Sequence, residues 1–554
     1  MKRLFTLAAL AALNVPTDAS ACGGFFCDSV PMDQSKERII FAIDEAEGTV
    51  ETHVQIFYQG AAREFAWIVP VPSVPEVALS SDALFLTLDS VTMPAFWLQP
   101  EYRGDCEMPP MDETDAVFED DATAGGNGGI TVLDQSQVGP YDQTTLQATD
   151  DEELITWLND NGYVIPASVG EHLAPYIAEG STFIALKLTS GRDAGDIAPV
   201  KFTYHADAAT IPIVLTGIAA TPDMRLQPYV FAQHRAVPDN YLHVLVNEAA
   251  INWFTYGDNY DAVITDAANE AGGQAFATDF AGSTESFRNR LWSEGRYNLD
   301  ILRDTDDPAM FLAHMIEMGF MNTPQLLNLL REFIPLPQSA IDAGISESSF
   351  YNCLECYEDH LVDLDFDPIA FAAALDTVIV QPAKEAEALF WDYPWVTRMT
   401  SSMSPDEMTV DPRFVLNPDL EPVSNLHRAT LVVDCSTSDG DLSGAVSWIE
   451  LSDGKQIFVP PGGSGWGESS VATDIAAATI EETTAEGQPT LVTDNHDAID
   501  AALELYNAEI RAQYEAAGID VEGDDPAGCG CDSGGGPRGV GLLLAAAALL
   551  RRRR

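Results

Sequence analysis

Lysine is scarce in this chain, with six among 554 residues, so that 27 basic side chains stand against 87 acidic ones and the formal net charge is −60. So negative a surface repels phosphate backbones and anionic lipid faces, which argues against nucleic-acid binding and suits a hydrated, soluble coat. Recognisable chemistry is scarce too. There is no H-E-x-x-H pair, no phosphate loop and no dinucleotide fingerprint. The histidines are scattered, and His314 falls beside the Phe311, Met315 and Met318 face of an expected helix. Gly462-Gly-Ser464-Gly-Trp466 approaches a nucleophile elbow, but tryptophan stands where a glycine is required. Long apolar runs are also missing. The stretch 539–550 is twelve residues, about 18 Å as a helix against a ~30 Å hydrocarbon core.

What is present is an address at each end. Met1-Lys2-Arg3, the apolar residues 4–15 and Ala19-Ser20-Ala21 form a secretion signal over residues 1–21, cleaved after Ala21 to leave Cys22 first. Ala19-Ser20-Ala21-Cys22 also reads as a relaxed lipobox, with Cys22 lipidated; plain cleavage is the preferred reading. At the other end an acidic and glycine-rich linker, 519–538, contains Cys529-Gly-Cys531. It leads to a short apolar helix and four arginines over 539–554. This layout resembles the MYXO-CTERM sorting tail of myxobacterial surface proteins. The resemblance implies export, retention at the membrane through the tail with the arginines on the cytoplasmic side, and processing near Cys529 and Cys531 by sorting machinery.

Six cysteines remain outside the tail: Cys22, Cys27, Cys106, Cys353, Cys356 and Cys435. An even number in an exported chain favours disulfides; the preferred pairs are Cys22 with Cys27, Cys353 with Cys356, and Cys106 with Cys435. The rival for Cys353-Leu-Glu-Cys356-Tyr-Glu-Asp-His360 is a zinc site, for which a second half-site is missing. No cofactor is firmly implied. Asp363, Asp365 and Asp367 alternate as a calcium loop would, but Pro368 stands where an EF-hand needs glycine. A solvated acidic segment is the preferred reading there.

The hydrophobic fraction, 46%, is too high for disorder and sufficient for packed domains. Residues 38–43 are apolar and 48–58 alternate, which predicts two antiparallel strands joined near Gly48. Further strands are expected at 65–72, 181–188, 200–204, 211–216, 226–232 and 241–246, a sandwich-like spacing. Between them lie an acidic flexible loop, 105–129, and helices at 82–88, from a Thr149-Asp-Asp-Glu152 cap to a stop at Asn161-Gly162, and at 169–178. The second half turns helical: Asp307-Pro308 and Thr323-Pro324 open a helical hairpin, and Ser404-Pro-Asp-Glu407 reads as a capping box. A hairpin around Asp453-Gly454 and a final helix, 497–517, follow. The expected class is α+β, with a β-sandwich-like amino half carrying helical insertions and a mixed helical and hairpin carboxyl half. The units are a β-rich domain over 22–290, a helix-rich region over 291–430, and a hairpin with the last helix over 431–518.

Several segments resemble domain-of-unknown-function family 2330 of exported bacterial proteins: Cys22-Gly-Gly-Phe-Phe-Cys27, Phe65-Ala-Trp-Ile-Val-Pro70, Val138-Gly-Pro-Tyr-Asp142, Trp157-Leu-Asn-Asp-Asn-Gly-Tyr163, the run 273–282 and the run 397–409. The likeness extends from about Cys22 to about His427. It implies a shared scaffold and location, since the family carries no established activity. The expectation is an exported, cell-surface or envelope-associated protein that is structural or binds an envelope or extracellular ligand. The alternative is a secreted hydrolase whose site assembles only in three dimensions.

Overall fold

The computed structural model describes residues 33–59, 66–106, 131–138, 140–161, 169–188, 198–362, 364–438, 442, 444–462, 471–519 and 521. The expected secretion signal, Ala21, Cys22, Cys27, most of the acidic loop, Asp363, Ser464, Cys529, Cys531 and the expected sorting tail lie outside these residues. The first hairpin forms as its pattern requires. β1 (Asp33–Asp44) pairs antiparallel with β2 (Thr49–Gln59), Asp44 opposite Thr49, and Gly48 turns the chain at φ +63, a value that carries no steric cost for glycine.

The strands continue as β3 (Ala66–Val71), β4 (Glu76–Leu79), β5 (Ala95–Arg103), β6 (Thr131–Val138), β7 (Tyr141–Gln147), β8 (Thr182–Leu188), β9 (Val200–His205), β10 (Ala209–Thr210) and β11 (Ala220–Ala232). After them come β12 (Arg235–Pro238), β13 (Leu242–Val246), β14 (Ala275–Ser283), β15 (Trp395–Met403), β16 (Arg413–Asn417), β17 (Leu426–Asp434), β18 (Val446–Glu450), β19 (Gln456–Phe458), β20 (Ala477–Glu482) and β21 (Thr490–Asp494). Ten of them form one sheet in the order β21-β20-β13-β14-β15-β11-β1-β2-β9-β4, and β3-β8-β7-β6 form a second. The smaller sheets are β19-β18-β17-β5 and β10-β16-β12.

The helices that matter here are α1 (Asp82–Thr92), α2 (Asp151–Asp160), α3 (Gly170–Ala178), α4 (Tyr260–Glu270), α5 (Pro308–Glu317), α6 (Pro324–Phe333), α7 (Pro368–Leu375), α8 (Gln381–Asp392) and α9 (His496–Ala516). They complete a layered α+β arrangement. On β1, Ile39, Phe41 and Ile43 face the second sheet, where Trp67, Val69, Ile184 and Leu186 meet them. Ile40 and Ala42 point the other way, onto Leu84, Phe85 and Leu88 of α1 and Phe390 of α8. A strand buried on both faces reads as an unbroken apolar run, which explains residues 39–43. The far face of the second sheet buries Leu146, Phe183 and Ala185 against Leu154, Leu158 and Leu173 of α2 and α3. Pro70 is tolerated inside β3 because β3 is an edge strand.

Between β14 and β15, which pair with Ser283 opposite Trp395, residues 284–394 form a helical insertion with its own core. Its centre is a stack of Phe333, Phe371 and Phe311 with centroids 4.8 and 4.7 Å apart. As expected, Asp307 and Thr323 cap α5 and α6 through the amides of Met310 and Leu326. After the insertion the chain returns to the sheets through β15, β16 and β17, so segments on both sides of residue 430 share one scaffold.

Three local expectations differ from the structure. Residues 213–216 form a helical turn rather than the end of a strand over 211–216, because Pro212 has no ladder donor and Asp411 captures the Val214 amide. Ser404 and Glu407 form half of the expected capping box: Glu407 accepts the Ser404 amide at 2.6 Å. The Ser404 hydroxyl, however, is engaged by Asp223, and a turn follows instead of a helix. α1 runs on to Thr92 instead of stopping at Leu88, and Ser81 makes no side-chain cap. On a point the sequence left open, pairing places β3 beside β8, in a different sheet from the first hairpin.

Candidate functional site

A cleft of about 210 Å³ opens where the carboxyl end of α3 meets β3, β9, β10 and the loop before β16; Pro70, Tyr176, Glu179, Tyr204, Pro212 and Asp411 line it. Local sequence sets each wall. α3 ends as Gly180 adopts φ +79; the Ser181 amide then bonds the Tyr176 carbonyl at 2.9 Å and Gly180 bonds Ile177 at 3.0 Å. This C-terminal glycine motif turns the chain sharply into β8 and leaves Tyr176 and Glu179 at the rim. Asp411 is fixed from the opposite side. The Asn240 side chain donates to its carbonyl at 2.7 Å, and the Tyr241 hydroxyl donates to the Val410 carbonyl at 2.6 Å. The Asp411 Oδ1 accepts both the Tyr176 hydroxyl and the Val214 amide at 3.0 Å.

Burial pushes the Asp411 carboxyl up to about 6, Glu179 adding in the same direction, while the Val214 and Tyr176 donors oppose it. Burial and the Asp411 charge push the Tyr176 phenol well above its usual range. The arrangement therefore offers a carboxylate, poised to ionise just below neutral pH, between tyrosine rings and prolines.

A second constellation lies on β2. His53 Nδ1 is 2.7 Å from the Ser80 hydroxyl and its Nε2 is 2.9 Å from Glu51 Oε1, a serine–histidine–carboxylate chain of the kind that activates a nucleophile. Burial raises the Glu51 carboxyl, but the His53 bond and the charges of His53 and Lys201 bring it down to about 2. Ser80 and His53 are each only 2% exposed. The Ser80 carbonyl holds the Gln325 side chain of α6 at 3.0 Å, and Gln325 also exchanges bonds with buried Asp82. Burial drives Asp82 up to about 6 against its donors from Gln325 and Gln55. With Lys201 paired to Glu385 of α8 at 2.9 Å, these groups form a polar seam that docks the helical insertion on the sheet.

A third cluster pins the large sheet. Arg398, 5% exposed, donates to Asp279 at 2.9 Å and to Asp89 at 3.2 Å. Tyr229 and Tyr260 donate to the same two acids at 2.6 and 2.5 Å, and Arg38 also pairs with Asp89. Nearby Lys36 falls to about 8 through burial and then the Arg38 charge.

Cys106 and Cys435 are bonded, with Cα atoms 5.4 Å apart and a sequence separation of 329. They clamp the carboxyl ends of the parallel neighbours β5 and β17, where Arg103 lies opposite Asp434. Cys353 and Cys356 are bonded to each other, while His360 turns its Nδ1 to Ser339 at 2.9 Å. Of the calcium candidates, Asp365 is exposed. Asp367 caps α7, accepting the Ile369 and Ala370 amides at 3.0 Å. Among the described residues no three His, Cys, Asp or Glu side chains converge as a metal site, and no helix is long and apolar enough to cross a membrane.

Sequence reasoning missed Asp411, Tyr176 and the Glu51–His53–Ser80 chain. The one available signal was the polar file Glu51, His53, Gln55 on the strand face opposite the apolar one, since an ionisable file on a strand buried on both sides requires partners.

Taken together, the packed sheets, the insertion and the carboxylate-lined cleft define an α+β scaffold with a small recess at its rim. Within it, residues 16–288 match the model of the family described as "Uncharacterized protein conserved in bacteria (DUF2330)". The matched segment includes the motifs from Cys22 to Gly282, while the run 397–409 lies beyond it. No curated protein matches the chain. Among solved structures, one titled "Crystal structure of baculovirus P35" is similar at a TM-score of 0.23 and 11% identity, covering 39% of this chain and 76% of that one. So low a TM-score supports no shared architecture.

Proposed function

We propose that this is an exported, envelope-associated protein that binds a ligand in the Asp411 cleft. Its location rests on the secretion signal over residues 1–21 and the sorting-type tail over 529–554. Export and sorting machinery are its expected partners during biogenesis. The observation that carries the binding role is the recess itself, where Asp411 is held by Tyr176 and Val214 without completing any ion pair among the described residues. A carboxylate built into a concave site suits ligand recognition. Saturable binding of the purified chain to isolated envelope material, without turnover and weakened by Asp411→Asn, is the expected result. Equal binding by the folded variant would remove the cleft from the account.

The Glu51–His53–Ser80 chain favours a second reading, an exported hydrolase. The burial of Ser80 under α6 weighs against it, because a nucleophile needs a route to its substrate. Labelling by a fluorophosphonate, lost in Ser80→Ala and retained in Asp411→Asn, would establish the hydrolase in place of the binding protein.

A further inference from the structure

The charge lining the cleft is one-sided. Among the described residues its walls hold two carboxylates, Asp411 and Glu179, and no lysine or arginine. An anionic ligand would meet like charge with nothing to balance it. A neutral one would leave the Asp411 carboxylate partly stripped of water and uncompensated. Both strong donors to Asp411, the Tyr176 hydroxyl and the Val214 amide, converge on Oδ1. They fix the carboxylate plane through Oδ1, the Ile213 amide also favouring the charged form, and leave Oδ2 without a hydrogen bond among the described residues. Tyr176 and Tyr204 add aromatic rings, which favour cations, and the prolines supply an apolar wall suited to methylene groups. The space, about 210 Å³, is smaller than the roughly 300–1,000 Å³ of pockets that enclose a whole organic ligand. It suits one terminal group.

Building on the ligand-binding reading above, we propose that the cleft receives the alkylammonium end of a ligand, as borne by a lysine side chain or an aminoalkyl headgroup. Asp411 pairs with the ammonium directly and Glu179 screens the rim. The groups facing Asp411 are Tyr176 and Glu179 from α3 and its following turn, Tyr204 of β9 and Tyr241 before β13. Arg413, two residues on, is engaged by Asp239. None of these supplies a competing cation inside the recess. A chain this acidic attracts cations everywhere, but that diffuse attraction is screened by salt and is insensitive to one carboxylate among 87 acidic residues.

The test is ligand-observed NMR on the purified chain at pH 7.5 in 150 mM salt, with n-butylammonium, n-butanol and butyrate as matched probes. Binding of n-butylammonium alone is expected. It should weaken about tenfold or more in Asp411→Asn, the range for a hydrogen bond to a charged group, and about tenfold in the wild type between pH 7.5 and 5 as the carboxylate protonates. Tyr176→Phe, which keeps the ring and removes a donor to the charged carboxylate, should move the pH midpoint of binding upward; this reads the same site if Asp411→Asn does not fold. N-acetyl-lysine methylamide and glycerophosphoethanolamine then identify the source, competition by either supporting the assignment. Asp411-dependent binding of butanol or butyrate would overturn the ammonium assignment and leave the ligand-binding reading standing. Absence of Asp411-dependent binding by every probe would overturn both.

Discussion

Arg398 and Asp411 show how differently two buried charges act. Arg398 is surrounded by Asp279 and Asp89, each held by a tyrosine hydroxyl. Arg398→Met would leave Asp279, whose side chain is fully buried, without its cation, at a cost of about 3–5 kcal/mol. Urea unfolding checks this. The same change at Arg413, whose side chain is 55% exposed, should cost less than about 1 kcal/mol. At Asp411 burial instead disfavours the charged form. Its folded value of about 6 lies above its ordinary 3.8, so its contribution is fully present below about pH 4 and is lost as pH rises through 6. Wild-type stability should therefore fall across that window by up to about 3 kcal/mol relative to Asp411→Asn, measured by denaturant titration at several pH values. Little of this was legible in the sequence. Asp411 sits in a loop where nothing local distinguishes it from other acids, and its partners come from residues 176 and 214, far along the chain.

Legibility improves for individual elements. The first hairpin, the capped pair α5 and α6, the Asp453-Gly454 hairpin and α9 all follow from local capping, turn chemistry and periodicity, which act over a few residues. β15 was not foreseen, because a central strand rich in threonine and serine, Trp395-Val-Thr-Arg-Met-Thr-Ser-Ser-Met403, lacks the apolar pattern and is held by its neighbours β11 and β14. Residues 211–216 failed for a related reason, the deciding Asp411 lying nearly 200 positions away. The clamp between β5 and β17 carries the clearest energetic consequence at this scale. Closing a loop of 329 positions restricts the unfolded chain by on the order of 5 kcal/mol in the chain-entropy model, against roughly 2 kcal/mol for a four-residue ring. Cys106→Ala with Cys435→Ala should thus lower stability clearly more than Cys353→Ala with Cys356→Ala. Equal losses in thermal unfolding would contradict that ranking.

The charge of −60 governs the behaviour of the whole molecule. Self-repulsion opposes compaction and is screened by ions, so the melting temperature should rise as salt increases from about 10 to 150 mM, where the Debye length shortens from ~30 to ~8 Å. A melting temperature unchanged or lowered by salt would mean that local ion pairs outweigh the global field. The proposed export makes its own prediction: peptide mass spectrometry of an envelope fraction should find Cys22 as the first residue, whereas a cytosolic chain retaining Met1 would defeat it. The central claim remains that the recess beside α3 is where this protein meets its ligand. Hydrogen–deuterium exchange of the purified chain at pH 7.5, with and without saturating n-butylammonium, tests it most directly. The account predicts slower exchange confined to residues 176–181, 210–214 and 409–413; unchanged exchange in all three segments, or slowing only elsewhere, would contradict it.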